Sequence, residues 1–481
     1  MRTWRRTKIV ATLGPALDTE SALTAVMEAG ANVFRANFSH GTADDHKKRI
    51  ELVRNVSKKL GQEVAIFADL QGPKIRVARF KNKKVVLKPG QAFVLDMDLN
   101  VDDGNEHQVG VDYKGLADDL NSGDKLLLDD GRVVFVVNKI EGKKIHCTVE
   151  VGGELSNNKG INRQGGGLSA AALTEKDKED LKTAVKLNVD YIAISFPRNA
   201  EDMEYAKQLI AEAGGKAGVI AKIERAEAIE NIDEIIVASD AIMIARGDLG
   251  VEIGDAQLPA VQKELIQKAR DKDKAVITAT QMMESMITNS IPTRAEVFDV
   301  ANAVLDGTDA VMLSSETAMG DHPVEAVEAM SRICEGSEKE NSVTKKRSNY
   351  SIESKKVDRA ISMACMLTAD NLNAIAIAAL TESGSTALWM SRTNHSIPIF
   401  ALTTHIGTLR KVTLYRGVYP ARIKTIDTNH ATVNKDAINV LTELGVAKEN
   451  DLVIITKGDL AGIRGGTNAM KVVTVGHLTD G

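Results

Sequence analysis

The stretch GVIAKIERAEAIENIDEIIVASDAIMIARGDLG, residues 218–250, reads as a strand, a helix and a second strand. Its first strand, 218–224, is apolar except for Lys222 and Glu224. Side chains two residues apart on a strand point to the same face, so we expect this lysine and this carboxylate to lie together. Buried parallel strands are near-continuous apolar runs, which makes charge at the end of one unusual.

The second strand, 241–245, is followed at once by Arg246-Gly247-Asp248. The glycine lets backbone N–H groups approach a ligand closely. Charged groups buried at strand ends are costly unless they are paired or coordinate a metal. A structural ion pair that closes the mouth of a barrel is one interpretation, and for a single strand it would be preferred. Because a lysine, a glutamate and an aspartate fall at adjacent strand ends, the sequence favours a metal-assisted site.

Length and composition are those of an ordinary globular protein with several domains. The chain has 481 residues, which suggests about three domains, and it is 43% hydrophobic and 26% charged. The net charge of −5 is too small to indicate a nucleic-acid or membrane partner, so we expect neither.

Cysteine usage and the N-terminal sequence indicate a cytoplasmic protein. The cysteines Cys147, Cys334 and Cys365 are far apart and in no paired spacing, which disfavours a disulfide framework or a zinc site and fits a reducing compartment. Pro15 and the acidic residues after it interrupt any apolar run near the N-terminus, so we expect no signal peptide and no membrane span.

Eight strand–helix steps predict a (β/α)8 barrel, because eight parallel strands close such a barrel. The predicted strands are Lys8–Leu13, Val33–Phe38, Val64–Leu70, Tyr191–Phe196, Gly218–Glu224, Ala241–Ala245, Ala275–Thr280 and Ala310–Ser314. The predicted fold class is α/β, and we assign residues 1–72 and 168–340 to the barrel.

Unusual polar residues concentrate at the carboxyl ends of these strands. The set is Arg35, Asn37, Asp69, Lys222, Glu224, Asp248, Thr280, Ser314 and Glu316. No comparable set lies at the amino ends. In (β/α)8 barrels the chemistry occurs at the carboxyl-end face, so this one-sidedness predicts an active site there.

Between residues 73 and 167 the hydrophobic period changes to two. Segments such as KIRVARF (74–80) and KKIHCTVEV (143–151) read as short strands, and DDG (129–131) and EG (141–142) read as hairpin turns. We predict a small all-β domain over 73–167, inserted into the barrel as a lid.

A third domain, residues 341–481, alternates strands and helices again and is predicted to be α/β. Residues 337–356 are polar and patternless, and we interpret them as a linker. The first strand of this domain runs into TESGSTA, 381–387, at a predicted helix start. A hydroxyl-rich turn at a helix N-terminus can bind phosphate, although a helix cap is the simpler explanation.

The charged groups of the barrel face suit a phosphorylated substrate. Glu224 and Asp248, completed by water and substrate oxygens, suit Mg²⁺ or Mn²⁺ better than zinc. Lys222 and Arg35 supply fixed positive charge for phosphoryl transfer, and Thr280 can orient a substrate oxygen or pass a proton. The sequence contains neither a GxxxxGK[ST] motif nor GxGxxG after a strand, which counts against P-loop and Rossmann sites.

Several segments resemble the signature segments of pyruvate kinase, in the family's order and over nearly the whole chain. They are FRANFSHG (34–41), DLQGPKIR (69–76), AKIERAE (221–227), MIARGDLGVE (243–252), ITATQMMESM (277–286), PTRAE (292–296) and DGTDAVML (306–313). The resemblance implies a TIM barrel with an inserted β lid and a C-terminal α/β regulatory domain. It also implies transfer of phosphoryl from phosphoenolpyruvate to ADP, followed by protonation of the enolate to pyruvate.

The resemblance further implies a role for each matching residue. The catalytic and substrate-binding set is Lys222, Arg35, Gly247, Asp248 and Thr280, with Lys222 stabilising the transferring phosphoryl group and Glu224 and Asp248 binding the divalent metal. The nucleotide-binding set is Asn37, Phe38, Ser39, His40, Arg76 and Lys159, with Lys159 supplied by the lid. The monovalent-cation pocket is formed by Asn37, Ser39, Asp69 and Leu70.

One departure from the family pattern concerns the monovalent cation. Potassium-dependent members have glutamate at the position of Lys74 and threonine at that of Leu70. The Lys74 ammonium can supply the positive charge that K⁺ otherwise brings, so we predict K⁺-independent activity. Ser315 stands where many members have glycine, and the sequence gives no physical reason for it.

In the C-terminal domain the resemblance favours phosphate binding over a simple cap. It implies an anionic effector, a sugar phosphate or AMP, at Thr381, Ser383, Gly384, Ser385 and Thr386, with Arg464 reaching a second anionic group. It also implies a homotetramer.

Two other functions use some of the same residues. A metal-dependent aldolase or lyase on a related barrel needs Glu224, Asp248 and an arginine, but it has no need of ADP, Arg76 or Lys159. A non-catalytic sensor would use the C-terminal domain and would not retain the charged set at the barrel face, which this chain has in full.

Overall fold

Strands and helices alternate through the computed structural model, which describes residues 4–343, 356–393, 396–424, 430–459 and 465–477. In chain order the strands are β1 (Lys8–Thr12), β2 (Val33–Asn37), β3 (Ala65–Asp69), β4 (Lys84–Leu87), β5 (Ala92–Asp96), β6 (Gln108–Gly110), β7 (Lys125–Leu128), β8 (Val133–Glu141), β9 (Lys144–Val151), β10 (Gly153–Ser156), β11 (Ile161–Arg163), β12 (Tyr191–Ile194), β13 (Gly218–Ile223), β14 (Ala241–Ala245), β15 (Ala275–Ala279), β16 (Ala310–Leu313), β17 (Ala376–Leu380), β18 (Ile399–Thr403), β19 (Val418–Arg422), β20 (Leu452–Gly458) and β21 (Thr467–Thr474).

The helices follow the strands of the barrel and of the C-terminal sheet. They are α1 (Glu20–Ala29), α2 (Ala43–Leu60), α3 (Glu175–Lys186), α4 (Ala200–Glu212), α5 (Ala226–Glu230), α6 (Ile232–Val237), α7 (Arg246–Ile253), α8 (Leu258–Asp271), α9 (Arg294–Asp306), α10 (Ser315–Ala318), α11 (Pro323–Val343), α12 (Val357–Leu372), α13 (Ser385–Ser391), α14 (Ile406–Lys411) and α15 (His430–Glu443). Short 3₁₀ turns occur at Pro15–Leu17, Glu284–Ile287 and Val412–Leu414.

Eight parallel strands close a barrel in the spatial order β1-β16-β15-β14-β13-β12-β3-β2, which confirms the predicted (β/α)8 architecture. Seven of the eight strands are fully buried because helices cover the outside and side chains fill the inside, and in β2 only Arg35 and Asn37 are half-buried. Several helices begin with a capping box, as at Thr42 and Asp45. The threonine side chain accepts a hydrogen bond from the aspartate N–H, and the aspartate side chain accepts one from the threonine N–H.

The predicted lid is all-β in the structure. Six strands form one sheet in the order β11-β7-β8-β9-β5-β6, and β10 pairs with β4. The turns predicted at 129–131 and 141–142 join β7 to β8 and β8 to β9, both antiparallel. The prediction of a strand over 74–80 was wrong, because Arg76, Val77 and Phe80 make isolated bridges only.

The C-terminal domain is a five-stranded sheet in the order β19-β18-β17-β20-β21, parallel except for the pair β20 and β21. The linker predicted at 337–356 was partly wrong, because α11 continues to Val343, and residues 344–355 lie outside the described part of the chain. The domain boundaries given from the sequence stay a proposal. Within the described residues no helix is long and apolar enough to cross a membrane.

A buried aspartate ties the amino end of the barrel to the C-terminal domain. Asp309, just before β16, is fully buried and accepts hydrogen bonds from the backbone N–H groups of Val276 (3.0 Å) and Arg416 (2.9 Å). The guanidinium of Arg392 donates to both of its carboxylate oxygens. Burial acts to raise the pKa of Asp309, but Arg392 and the other donors lower it below its usual range. This carboxylate is therefore ionised and shared by two domains.

Replacement of Asp309 by asparagine is expected to destabilise the fold by about 3–5 kcal/mol, because it leaves the buried Arg392 guanidinium without its counter-charge. The lowered pKa means that the carboxylate stabilises the fold above the ordinary aspartate pKa of about 3.9 and that this contribution is lost as the pH falls through the folded-state pKa. Urea unfolding followed by circular dichroism at pH 7, and at a series of pH values that falls below about 3.9, measures both effects.

The matched control is Glu154→Gln, which breaks the ion pair with Lys84 in which both side chains are more than half exposed. It is expected to cost less than about 1 kcal/mol. An equally small loss for Asp309→Asn would show that the aspartate does not hold the two domains together.

Candidate active site

Four charged side chains meet at the carboxyl-end face of the barrel. The Lys222 ammonium on β13 lies 3.0 Å from Asp69 Oδ1 and 3.0 Å from Glu224 Oε1. The Arg35 guanidinium on β2 donates through Nε to Asp69 Oδ2 at 2.6 Å. Two cations thus alternate with two anions in one buried cluster, and the contact between Lys222 and Glu224 agrees with their spacing on one face of a strand.

Burial and pairing oppose each other in this cluster. Burial acts to lower the pKa of Lys222, but Asp69 and Glu224 raise it above its usual value. Burial acts to raise the pKa of Asp69, but Lys222 and Arg35 lower it. For Glu224 burial dominates, and the charges of Asp248 and Asp69 add to it, so its pKa is raised even though Lys222 opposes the shift. Lys222 is therefore held as a cation among carboxylates.

The end of β12 contributes two contacts that sequence reasoning missed. Ser195 is fully buried, and its hydroxyl accepts a hydrogen bond from Lys222 Nζ (2.7 Å) and donates to the Leu70 carbonyl (2.6 Å). Phe196 has a positive φ of 55°, which turns the chain, and its N–H donates to Glu224 Oε2 at 3.0 Å. A serine that ends an apolar strand is a weak signal, and only the fold shows what it faces.

The next strand of the chain after Glu224, β14, is followed at once by a helix that the sequence did not predict. The sequence indicated a break after Ala245, but α7 begins at Arg246 and places Gly247 and Asp248 in its first turn. The Gly247 N–H donates to Thr280 Oγ1 at 2.8 Å, and Thr280 Oγ1 donates to the Ala279 carbonyl at 2.6 Å. The first turn of α7 therefore presents N–H groups and the positive end of a helix dipole to the barrel mouth.

Thr280 is held in a strained conformation. Its φ is +68°, which is a genuine outlier for a β-branched residue. The Arg246 guanidinium braces this turn by donating to the carbonyls of Ala279 (3.2 Å) and Thr280 (2.7 Å), and Asp299 holds the guanidinium at 2.6 and 2.7 Å. Strain kept in place by such bracing is typical of functional sites.

Asp248 is paired with Lys74, and this placement differs from the one expected. The Lys74 ammonium donates to Asp248 Oδ1 at 2.9 Å, whereas the two oxygens of Asp69 face Lys222 and Arg35. We expected Lys74 beside the monovalent-cation residues Asn37, Ser39, Asp69 and Leu70.

Asn37 lies opposite Asp69 in the register of β2 and β3, and its side chain accepts from the Ser39 N–H at 3.1 Å.

The residues present fit a hard divalent cation. Asp248 lies near enough to Glu224 for its charge to raise the pKa of the glutamate, a repulsion that a bound dication removes. Within the described residues no group of three or more His, Cys, Asp or Glu side chains is arranged to hold a metal ion. Two carboxylates that need water and substrate oxygens to complete the shell suit Mg²⁺ or Mn²⁺.

The residues expected to contact a nucleotide lie in two parts of the chain, the lid and the turn after β2. In the lid, Arg76 bridges to Gly160, and the Val77 N–H donates to the Lys159 carbonyl at 2.9 Å, so Arg76 and Lys159 are neighbours. The Lys159 ammonium lies 2.7 Å from Asp129.

On the barrel side, residues 37–40 form the turn after β2. The Phe38 ring is buried and stacks on His46, and the Lys176 ammonium donates to the Phe38 carbonyl at 2.9 Å. His40 lies in this turn, where its N–H donates to the Asn37 carbonyl at 3.4 Å.

Glu316 and its neighbours support the site from the end of β16. The buried Glu316 carboxylate accepts from the N–H groups of Ser314 (2.6 Å) and Met283 (3.2 Å), and burial raises its pKa. It thereby fixes the loop that follows Thr280. Ser315 is the first residue of α10, and nothing in its surroundings requires serine there.

The hydroxyl-rich turn of the C-terminal domain is built around a glycine. Gly384 has a φ of 87° and is the N-cap residue of α13, so no side chain at that position caps the helix. Its N–H donates to Thr381 Oγ1 at 2.9 Å, the hydroxyls of Ser383 and Ser385 are 2.8 Å apart, and that of Thr386 contacts Thr467. Arg464 lies outside the described residues.

Comparisons with known proteins agree with this geometry. The family described as "Pyruvate kinase, barrel domain" matches residues 4–327, and "Pyruvate kinase, alpha/beta domain" matches residues 359–473. The chain is 53% identical over 478 residues to pyruvate kinase II of Salmonella typhimurium, covering 98% of this chain and 99% of that protein. It is 52% identical over 461 residues to the pyruvate kinase of Haemophilus influenzae, covering 95% of this chain and 96% of that one.

A solved structure has the same fold over almost the whole length. The crystal structure of a pyruvate kinase from Cryptosporidium parvum superposes with a TM-score of 0.91 at 34% identity, and the match covers 98% of this chain and 96% of that one.

Replacement of Glu224 by glutamine is expected to weaken Mn²⁺ binding by about tenfold or more if Glu224 and Asp248 are the two carboxylate ligands predicted from the sequence. Electron paramagnetic resonance titration of free Mn²⁺ measures the dissociation constant directly. The control is Glu316→Gln. Glu316 is a buried carboxylate at the same end of the barrel, and among the described residues its hydrogen-bond donors are the backbone N–H groups of Ser314 and Met283. Equal Mn²⁺ affinity in the two folded variants would remove Glu224 from the metal site.

Proposed function

The chain belongs to the pyruvate kinase family, and we propose that the charged face of its barrel carries the family's reaction. The enzyme transfers phosphoryl from phosphoenolpyruvate to ADP, giving pyruvate and ATP, in the last step of glycolysis. Its substrates are therefore phosphoenolpyruvate and ADP, and a divalent metal is its cofactor. The family assignment disfavours the barrel aldolase or lyase and the non-catalytic sensor.

The observation that carries the residue assignment is the position of Lys222 between Asp69 and Glu224. A buried ammonium held by carboxylates is a fixed positive charge in a water-poor site. Charge develops on the equatorial oxygens of phosphoryl as it moves, and such a fixed charge stabilises that state more than the ground state. Lys222 is thus the catalytic group for transfer, and Arg35 holds the substrate phosphate beside it.

The substrate carboxylate is assigned to the first turn of α7. The turn carries the N–H groups of Gly247 and Asp248 and the positive end of the helix dipole, which suit an anion. The Gly247 N–H donates to Thr280 Oγ1 in the structure, so it can bind a substrate carboxylate only when the Thr280 hydroxyl moves away. Its hydroxyl can orient a substrate oxygen or pass the proton that converts the enolate to pyruvate.

Glu224 and Asp248 are assigned as ligands of Mg²⁺ or Mn²⁺. When bound, the ion supplies positive charge to the substrate oxygens that complete its shell. The Lys74 ammonium donates to Asp248 Oδ1 at 2.9 Å, and this contact is compatible with metal binding, because a carboxylate that ligates a metal can accept a hydrogen bond as well. The nucleotide phosphates are assigned to Arg76 and Lys159 of the lid.

On the opposite side of the nucleotide, the turn of Asn37, Phe38, Ser39 and His40 completes its site. The lid carries Arg76 and Lys159 together, so movement of one domain brings both cations to the phosphates.

We also propose a homotetramer in the cytoplasm. Phe298 on α9 and Ile291 just before it are each 71% exposed, which suits a surface that another copy covers.

The variant Lys222→Met is expected to lower kcat by about 10²- to 10³-fold, because it removes the charge that stabilises the transferring phosphoryl group. An assay of ADP-dependent pyruvate formation measures it. Lys125→Met, which removes a half-exposed lid lysine paired with Glu150, is the control and should retain activity. A Lys222→Met enzyme with turnover within tenfold of the parent would refute the assignment.

The enzyme is expected to need no K⁺. The reason is that the Lys74 ammonium, which lies 2.9 Å from Asp248 Oδ1, supplies the positive charge that K⁺ brings in potassium-dependent members. Turnover in a bulky tetraalkylammonium salt should equal turnover in K⁺ at the same ionic strength. The matched variant Lys74→Glu, with the residue of potassium-dependent members, should acquire stimulation by K⁺. A large loss of the parent enzyme's turnover in the absence of K⁺ would contradict the prediction of K⁺-independent activity.

An anionic effector, a sugar phosphate or AMP, is proposed to bind at Thr381, Ser383, Gly384, Ser385 and Thr386 and to activate the enzyme. Ser383→Asp and Ser385→Asp place negative charge where the phosphate would lie, and each should abolish activation by AMP and by sugar phosphates without lowering basal turnover. Thr442→Asp adds the same charge on the exposed side of α15 and should leave activation intact. Full activation of both serine variants would contradict the site.

A further inference from the structure

Ser195 makes a directed contact with the Lys222 ammonium. The side chain is fully buried at the carboxyl end of β12, and its hydroxyl accepts from Lys222 Nζ at 2.7 Å. The same hydroxyl donates its proton to the Leu70 carbonyl at 2.6 Å. A hydroxyl has one proton and two lone pairs, so commitment of the proton to Leu70 leaves a lone pair directed at the ammonium.

The residue after Ser195 holds the carboxylate that faces the same ammonium. Phe196 has a φ of 55°, and this bend aims its N–H at Glu224 Oε2, 3.0 Å away. A left-handed conformation at a bulky residue is strained and persists only where its surroundings impose it. The dipeptide 195–196 therefore fixes the positions of Lys222 and Glu224 together.

A glycine in the loop after β3 makes the position of Ser195 possible. Gly72 has a φ of 68°, and a Cβ there would lie 2.5 Å from the Ser195 Cβ and 3.0 Å from Phe196 Cδ2. The loop that carries the Leu70 carbonyl can approach β12 only without that side chain. This loop leads directly into the lid. The two hydrogen bonds of Ser195 therefore connect the chain segment just before the lid to the Lys222 ammonium.

The three neighbours of the ammonium differ in kind. Asp69 and Glu224 are negatively charged and lie 3.0 Å from it, whereas Ser195 accepts a hydrogen bond from it through an uncharged hydroxyl. A carboxylate that also binds a dication attracts the ammonium less, whereas the attraction of a hydroxyl is unchanged. Because Glu224 is the neighbour assigned to the metal, Ser195 and Asp69 are the two whose hold on Lys222 persists when the metal is bound, and Ser195 is the uncharged one of the two.

We propose that Ser195 is a positioning residue for phosphoryl transfer, which holds the Lys222 ammonium at the distance and angle that the migrating phosphoryl group requires. The inference rests on the proposed catalytic role of Lys222.

The test compares two buried serines, each of which donates to a carbonyl. In Ser195→Ala, kcat should fall roughly 10- to 100-fold, since misplacement by about 1 Å costs up to about 10²-fold, while KM for phosphoenolpyruvate and the Mn²⁺ dissociation constant change less than about threefold. Ser239 is buried before the amino end of β14, and its hydroxyl donates to the Ile235 carbonyl at 2.7 Å. Ser239→Ala should keep kcat within about twofold of the parent.

A double-mutant cycle shows through which group Ser195 acts. In a Lys222→Met background, Ser195→Ala should lower the residual rate by less than about threefold, because the group it positions is gone. A kcat for Ser195→Ala equal to that of Ser239→Ala would overturn the inference, as would loss of Mn²⁺ affinity in parallel with kcat. If Lys222→Met itself keeps full turnover, the catalytic role of the lysine fails first, and this inference falls with it.

Discussion

Burial of two cations and two anions in one cluster is the constraint on which the barrel face depends. Lys222 lies 3.0 Å from both Asp69 and Glu224, and Arg35 closes the set from β2. None of these groups is stable there alone, because an unpaired buried charge costs several kcal/mol. The four charges therefore require each other, and three separate strands are needed to bring them together. The same arrangement keeps Lys222 charged, as its proposed role in phosphoryl transfer requires.

The surrounding structure serves to keep that cluster in register. The bends at Phe196 and Thr280, with φ of 55° and 68°, aim backbone and hydroxyl groups into the barrel mouth, and Arg246 with Asp299 braces the second bend. At the other end of the barrel, the Asp309 carboxylate fastens the C-terminal domain through Arg392. The charged face and the contact with the C-terminal domain thus lie at opposite ends of the same eight strands.

The sequence was sufficient for the barrel, the lid and the charged pair on β13, because strand periodicity and strand-end charge are local patterns. It failed where tertiary contacts decide the structure. Residues 74–80 alternate like a strand but make only isolated bridges, and residues 337–343 look like linker but extend α11. Lys74 was placed by analogy near Asp69, yet its ammonium reaches Asp248. Ser195 carried no signal of its own, since its role depends on the Leu70 carbonyl and the ammonium that the fold brings to it.

A crystal structure of the enzyme with Mn²⁺ and a phosphorylated substrate analogue tests the central claim most directly, because anomalous scattering locates the metal independently of the protein atoms. The account predicts one Mn²⁺ peak within about 2.3 Å of an oxygen of Glu224 and one of Asp248, with Lys222 Nζ in hydrogen-bond contact with the phosphoryl group. A metal held by other side chains, or Lys222 turned away from the phosphoryl group, would contradict it.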